Sequence, residues 1–144
     1  MRSAGDAGFS LVELLVVILI VGVLAAIAIP SFLDQSGKAD DAEAKSLAIS
    51  AVKALESCAT DNDGSYQTCT SSSLALIEPT LNNGGSRLSI TSGAQDYEVI
   101  VRSKRDSGAV TFTVSKESDG GTERTCSTGA APKGGCSAQT GGVW

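Results

Sequence analysis

Histidine is absent from this 144-residue chain. Its absence removes the commonest general base and metal ligand, and with it any Ser-His-Asp or Cys-His arrangement. No G-x-x-x-x-G-K-[ST] loop is present, and no G-x-G-x-x-G follows a strand pattern. Basic residues are few, 11 against 16 acidic ones, so the net charge of −5 argues against non-specific nucleic-acid binding. Arg102, Lys104 and Arg105 form one small basic patch at a predicted hairpin and read as a polar rim. The four cysteines, Cys58, Cys69, Cys126 and Cys136, lack the C-x₂₋₄-C spacing of zinc sites. Asp61, Asp63 and Ser65 alternate as in a calcium loop, but the twelfth position is Ser72 where a glutamate is required, so a solvated turn is expected. No cofactor, no metal and no enzymatic activity are expected.

What the chain has is one long apolar run. From Phe9 to Ile29 the only charged residue is Glu13. At about 1.5 Å per helical residue this run spans roughly 30 Å, enough to cross the hydrocarbon core of a bilayer. A carboxylate inside such a run costs about 2.5–3.5 kcal/mol on insertion scales, so Glu13 is expected to have a partner. Residues 1–8 are short and polar and read as a leader rather than structure. Arg2 is offset by Asp6, and Lys38 and Lys45 follow the run, so charge bias orients it only weakly.

The stretch Gly8-Phe9-Ser10-Leu11-Val12-Glu13-Leu14-Leu15-Val16-Val17 resembles the processing site of type IV prepilins and of the related type II secretion pseudopilins. The resemblance is specific over residues 8–32. It implies cleavage between Gly8 and Phe9 by a prepilin peptidase and methylation of the new amine of Phe9. It makes Glu13 the fifth mature residue, Gly22 the fourteenth and Pro30 the twenty-second, all matching positions typical of the family. It further implies partners: other copies of the chain in a helical homopolymer, the peptidase, an inner-membrane assembly platform, and the membrane itself before assembly. A disulfide-bounded loop near the C-terminus is common in the family, and Cys126 with Cys136 resemble it.

The residues after the run predict an α+β fold. Leu47, Ala48, Ala51, Val52, Leu55 and Ala59 recur at three- and four-residue spacing, an amphipathic stripe. A helix is therefore expected over residues 9–58, with 9–32 as its transmembrane and assembly part. Gly22 and Pro30 are weak points within it, and a helix that stops at Pro30 and restarts at Ser36 is the alternative. Asp34 with Lys38 and Asp41 with Lys45 are i,i+4 pairs of favourable orientation. Residues 59–86 read as a connecting region with a short helix before Pro79. Residues 87–144 read as an antiparallel sheet of three or four strands and a tail. Tyr97, Val99 and Val101 fall on one face, as do Val110, Phe112 and Val114, and Trp144 is expected to pack back over the sheet. Hydrophobic content of 42% is concentrated before residue 33, so the remaining core is small and in need of staples. An even cysteine count suggests two disulfides in an oxidising compartment. Of the three pairings, proximity favours Cys58–Cys69 and Cys126–Cys136.

The expected function is that of a structural subunit of a type IV pilus-like filament, a single-pass precursor in the cytoplasmic membrane that becomes an extracellular or periplasmic polymer. A pseudopilin of a secretion system is the alternative within the family. Outside it, Ala26-Ile27-Ala28 leaves open a secreted binding domain released by an ordinary signal peptidase.

Overall fold

The computed structural model describes residues 9–129, 134–138 and 141–144, without the side chain of Asp34. The expected leader, Gly8, part of the tail and the Asp34–Lys38 pair lie outside the described residues. The chain divides into two compact units at Ser36/Gly37.

A single helix, α1 (Leu11–Asp61), runs through both units, with Pro30 inside it. Pro30 does not end the helix, so the alternative of two separate helices is corrected. The proline lacks one backbone donor and so removes one bond to the preceding turn, and the helix continues on either side of it. The helix also continues beyond Cys58 to Asp61, where it ends in a capped turn. Gly64 adopts φ +84°, and its N–H reaches the Ala59 carbonyl at 2.8 Å. Asn62 donates its side-chain amide to the Cys58 carbonyl at 2.7 Å. These bonds satisfy carbonyls that a helix end leaves orphaned, and glycine carries the left-handed geometry without a Cβ clash.

In the second unit α1 supplies one layer of the core. Ala44, Leu47, Ala48, Ala51, Ala54, Leu55, Cys58 and Ala59 are all buried, the i, i+3, i+4 stripe expected of a half-covered helix. A short helix, α2 (Ser71–Ile77), follows, its N-terminus capped by Thr70 accepting from the Ser73 N–H. A 3₁₀ segment, Pro79–Arg87, leads to the sheet. The sheet is an antiparallel meander of β1 (Leu88–Ser92), β2 (Tyr97–Arg102), β3 (Thr111–Lys116), β4 (Thr122–Ser127) and β5 (Gly142–Val143), in that spatial order. The register sets Val99 opposite Val114 and Val101 opposite Phe112. All four are buried in one cluster with the alanine-rich face of α1.

The fifth strand extends the expected meander by two residues and pairs with β4, which is therefore not an edge. Glycine-rich sequence gives β5 no hydrophobic alternation, so it carried no pattern to read. Trp144 follows it and packs edge-on against Phe112 at 5.5 Å, its indole N–H donating to the Thr113 carbonyl at 3.3 Å. Lys45 and Arg124 both lie over the Trp144 ring. Cys58 is bonded to Cys69, tying the end of α1 to the loop before α2, and Cys126 to Cys136, tying β4 to the tail.

Replacing Phe112 by alanine removes the largest fully buried side chain and should cost about 3–5 kcal/mol in chemical denaturation of the full chain. Opening the second bridge with Cys126→Ser and Cys136→Ser together should cost about 2–3 kcal/mol and direct limited proteolysis to residues 129–141. A tail that resists the protease as the wild type does would contradict a stapling role for that bridge.

Candidate functional site

The functional surface begins where the core is missing. From Phe9 to Leu33 every large apolar side chain is exposed, from 83% at Phe9 to 45% at Val16. Exposure is spread round the helix rather than along one stripe, so no face of this segment is covered. It is also the one described helix long and apolar enough to cross a membrane.

Glu13 lies in the first turn of α1, exposed among these side chains. Among the described residues its carboxylate has no hydrogen-bond or ion-pair partner. The N-terminal end of a helix carries partial positive charge, which favours a carboxylate there but does not replace a counter-ion. Phe9 precedes the helix and is exposed. At Gly22 an added Cβ would meet nothing within 4 Å, so no contact inside the chain requires glycine. Pro30 sits one turn before the end of the apolar stretch. Phe9, Glu13, Gly22 and Pro30 thus share one exposed segment, while the four cysteines all belong to the second unit.

Two clusters that the sequence did not reveal fasten α1 to the sheet. In the first, Asp41 is buried at 2% exposure and pairs with Arg105 at 2.9 Å, not with Lys45 as helical spacing suggested. The Asp41 Oδ1 has no partner among the described residues. Arg105 reaches it by lying flat on Gly37, where an added Cβ would come within 2.9 Å of the guanidinium Nε. Gly37 therefore leaves room for an arginine side chain within a continuous helix. Glu43 accepts from Lys104 at 2.7 Å and from Arg87 at 3.0 Å. The bond from Lys104 holds the Glu43 carboxyl below its ordinary value against a small opposing effect of burial, and Arg87 adds to it. The patch expected to be a polar rim is thus mostly a set of clasps.

In the second cluster Glu56 accepts from Tyr66 at 2.7 Å, and from Tyr97 and Lys116 at 3.2 Å each. Lys116 also donates to the Tyr66 oxygen and sits over its ring, and the two tyrosine rings meet edge-on at 5.0 Å. Partial burial pushes the Glu56 carboxyl up, but the bonds from Tyr66 and Lys116 and the lysine's charge outweigh it and hold the carboxyl below 4.5. Burial, reinforced by Glu56, pushes the Tyr97 phenol up to about 12. The bond to Tyr66 raises Lys116 above 10.5. Side chains separated by 10 to 60 residues in sequence make up this cluster, so no local spacing could have indicated it. Among the described residues no group of acids or cysteines could hold a metal ion, and Asp63 serves instead as a left-handed turn residue.

A fully exposed apolar helix continuous with the helix of a small α+β unit defines a pilin-like protein. The model of the prokaryotic N-terminal methylation motif matches residues 4–29. Two fimbrial proteins of Pseudomonas aeruginosa are each 32% identical over 130 residues, which cover 78% of this chain and 80% of theirs. The type IV narrow pilus major component PilA5 of Thermus thermophilus is 35% identical over 118 residues, covering 82% of this chain and 91% of its own. No solved structure matches. The chain belongs to the type IV pilin family and is a pilin-like structural subunit.

The clusters also fix how stability should depend on pH. A carboxyl held low, as at Glu56, contributes above pH 4.5, and its contribution is lost as the pH falls through the folded value. Groups raised on folding, Tyr97 and Lys116, contribute below their unfolded values of 10.0 and 10.5, and their contribution is lost as the pH rises past these. Unfolding followed by circular dichroism should show a plateau between about pH 6 and 9 that falls on both sides. Tyr97→Phe should soften the alkaline limb and leave the acid limb in place.

Proposed function

We propose that this chain is the precursor of a pilus filament subunit. A prepilin peptidase cuts it after Gly8, the amine of Phe9 is methylated, and the mature chain polymerises through residues 9–32. Before assembly the same residues cross the cytoplasmic membrane, and the assembly platform draws the subunit from there into an extracellular fibre.

The observation that carries this reading is an apolar helix segment exposed on all faces and bearing one unpartnered carboxylate. Lipid covers such a segment in the precursor, and other copies of it cover it in a filament. In a bundle of like helices Glu13 has one kind of cation within reach along the segment, the amine of Phe9 on a neighbouring copy. A charge left unpaired in an apolar bundle is expensive, so the pair selects one stagger between subunits. Gly22 and Pro30 are the points at which the helix yields during packing. That no contact among the described residues needs glycine at position 22 supports a requirement arising between subunits.

A pilus is favoured over a secretion pseudopilus by the fimbrial and pilus relatives and by the bridged tail at Cys126–Cys136. Release by signal peptidase after Ala28 is disfavoured, because Ala28 and Ile29 lie inside α1 and the cut would divide a continuous helix.

Glu13→Ala separates processing from assembly. Cleavage after Gly8 should proceed, while the yield of sheared filaments should fall at least tenfold, as expected when about 1.4 kcal/mol or more of pairing is lost at each step. Normal fibres from the variant would remove Glu13 from the mechanism.

A further inference from the structure

Charge is divided unevenly along the second unit. At one end, against Asp41 and Glu43 of α1, lie Arg87, Lys104 and Arg105, each already paired with one of those carboxylates. Arg102, the last residue of β2, stands beside them and lines a surface pocket with Arg87, Lys104 and Ser107. It is exposed and, among the described residues, its guanidinium has no hydrogen-bond or ion-pair partner. Glu56 lies thirteen residues beyond Glu43 on α1, about 20 Å along the helix. Past it come further acids: Asp61 at the last position of α1, Asp63 in the turn after it, and Glu117 and Asp119 between β3 and β4, all exposed. Asp63 and Asp119 share a pocket with Lys116, and that lysine is committed to Glu56 and Tyr66. One end of the unit thus keeps a guanidinium without a partner, and the other keeps carboxylates without a cation partner, among the described residues.

We infer that these two ends meet between copies: the Arg102 end of one subunit docks against the Asp61–Asp63 and Glu117–Asp119 turns of the next. The inference rests on the filament function proposed above. A second copy fits because the two surfaces differ, are complementary in charge and lie on the same molecule. A contact between unlike surfaces is heterologous and propagates from subunit to subunit instead of closing in a dimer. Exposed charges in water are screened, so this contact sets direction and register while the apolar helices supply the cohesion. It also gives the ends of the filament opposite charge, which a symmetric contact cannot do.

Charge exchange in the full-length protein, expressed with its assembly machinery, tests the contact. Arg102→Glu reverses the cation. Asp61→Lys with Glu117→Lys reverses the acidic turns at two side chains that have no partner among the described residues, so folding is left alone. Equal melting temperatures for all variants check this. Each reversal alone should lower filament yield several-fold and make the filaments fall apart at lower salt than the wild type. The three substitutions together should restore both readouts. If the combination assembles no better than Arg102→Glu alone, the acidic turns are not the partner, as when Arg102 faces an anionic lipid surface, and the inference is overturned. Reversals that leave yield and salt tolerance unchanged in a chain that does assemble overturn it equally. A wild-type chain that is cleaved but forms no filament overturns the proposed function, and this contact with it.

Discussion

Everything in this molecule follows from an apolar helix segment that its own chain does not cover. A buried valine, leucine, isoleucine or phenylalanine contributes about 1.5–3 kcal/mol relative to an exposed one. The segment from Phe9 to Leu33 exposes more than a dozen of them. The resulting drive toward lipid or toward like helices amounts to tens of kcal/mol, larger than the roughly 5–15 kcal/mol that holds an ordinary domain folded. No surface ion pair competes with it. In the proposed filament, Glu13 adds only a small share of this drive and acts chiefly by selecting the stagger between copies.

The second unit solves a different problem, that of holding a sparse core to a helix. The face that α1 gives to this core is mostly alanine, so it contributes little apolar area per residue. Long-range clasps supplement it at both ends of the contact, Asp41 and Glu43 with three basic side chains at one end and Glu56 with Tyr66, Tyr97 and Lys116 at the other. Most of these groups are partly exposed, so each pair is individually weak, on the order of 1 kcal/mol or less. The Asp41–Arg105 pair differs, because removing Arg105 takes the cation away from a buried carboxylate. Two disulfides add chain constraint where the sequence offers no hydrophobic surface, at the end of α1 and in the glycine-rich tail.

The features legible in the sequence were those encoded by local period or by local chemistry. Three- and four-residue spacing from Leu47 to Ala59 marked the packed face of α1, and alternation in Tyr97–Val101 and Val110–Val114 marked the inward faces of β2 and β3. The apolar run and Glu13 could be read because a lone carboxylate there has no bland physical explanation. What stayed hidden depends on tertiary contact. Nothing in the local pattern marked Gly37, because its role is to receive Arg105 from a hairpin 68 residues away in numbering, as the two residue numbers show. Asp41 and Lys45 looked like a helical ion pair, but the better partners, Arg105 for one and the Phe112 and Trp144 rings for the other, come from the sheet. The strand β5 has two residues and no alternation, so only its pairing with β4 defines it.

The central claim is that the exposed segment is released at Phe9 and becomes the assembling surface. The most direct test is the intact mass and N-terminal sequence of the mature chain isolated from its native host. A chain that begins at Phe9 and is heavier by one methyl group is the predicted result. A chain that begins at Ile29 would mean that the apolar segment is a discarded export signal, and a chain still beginning at Met1 would mean that it is a permanent anchor. Either would contradict the account.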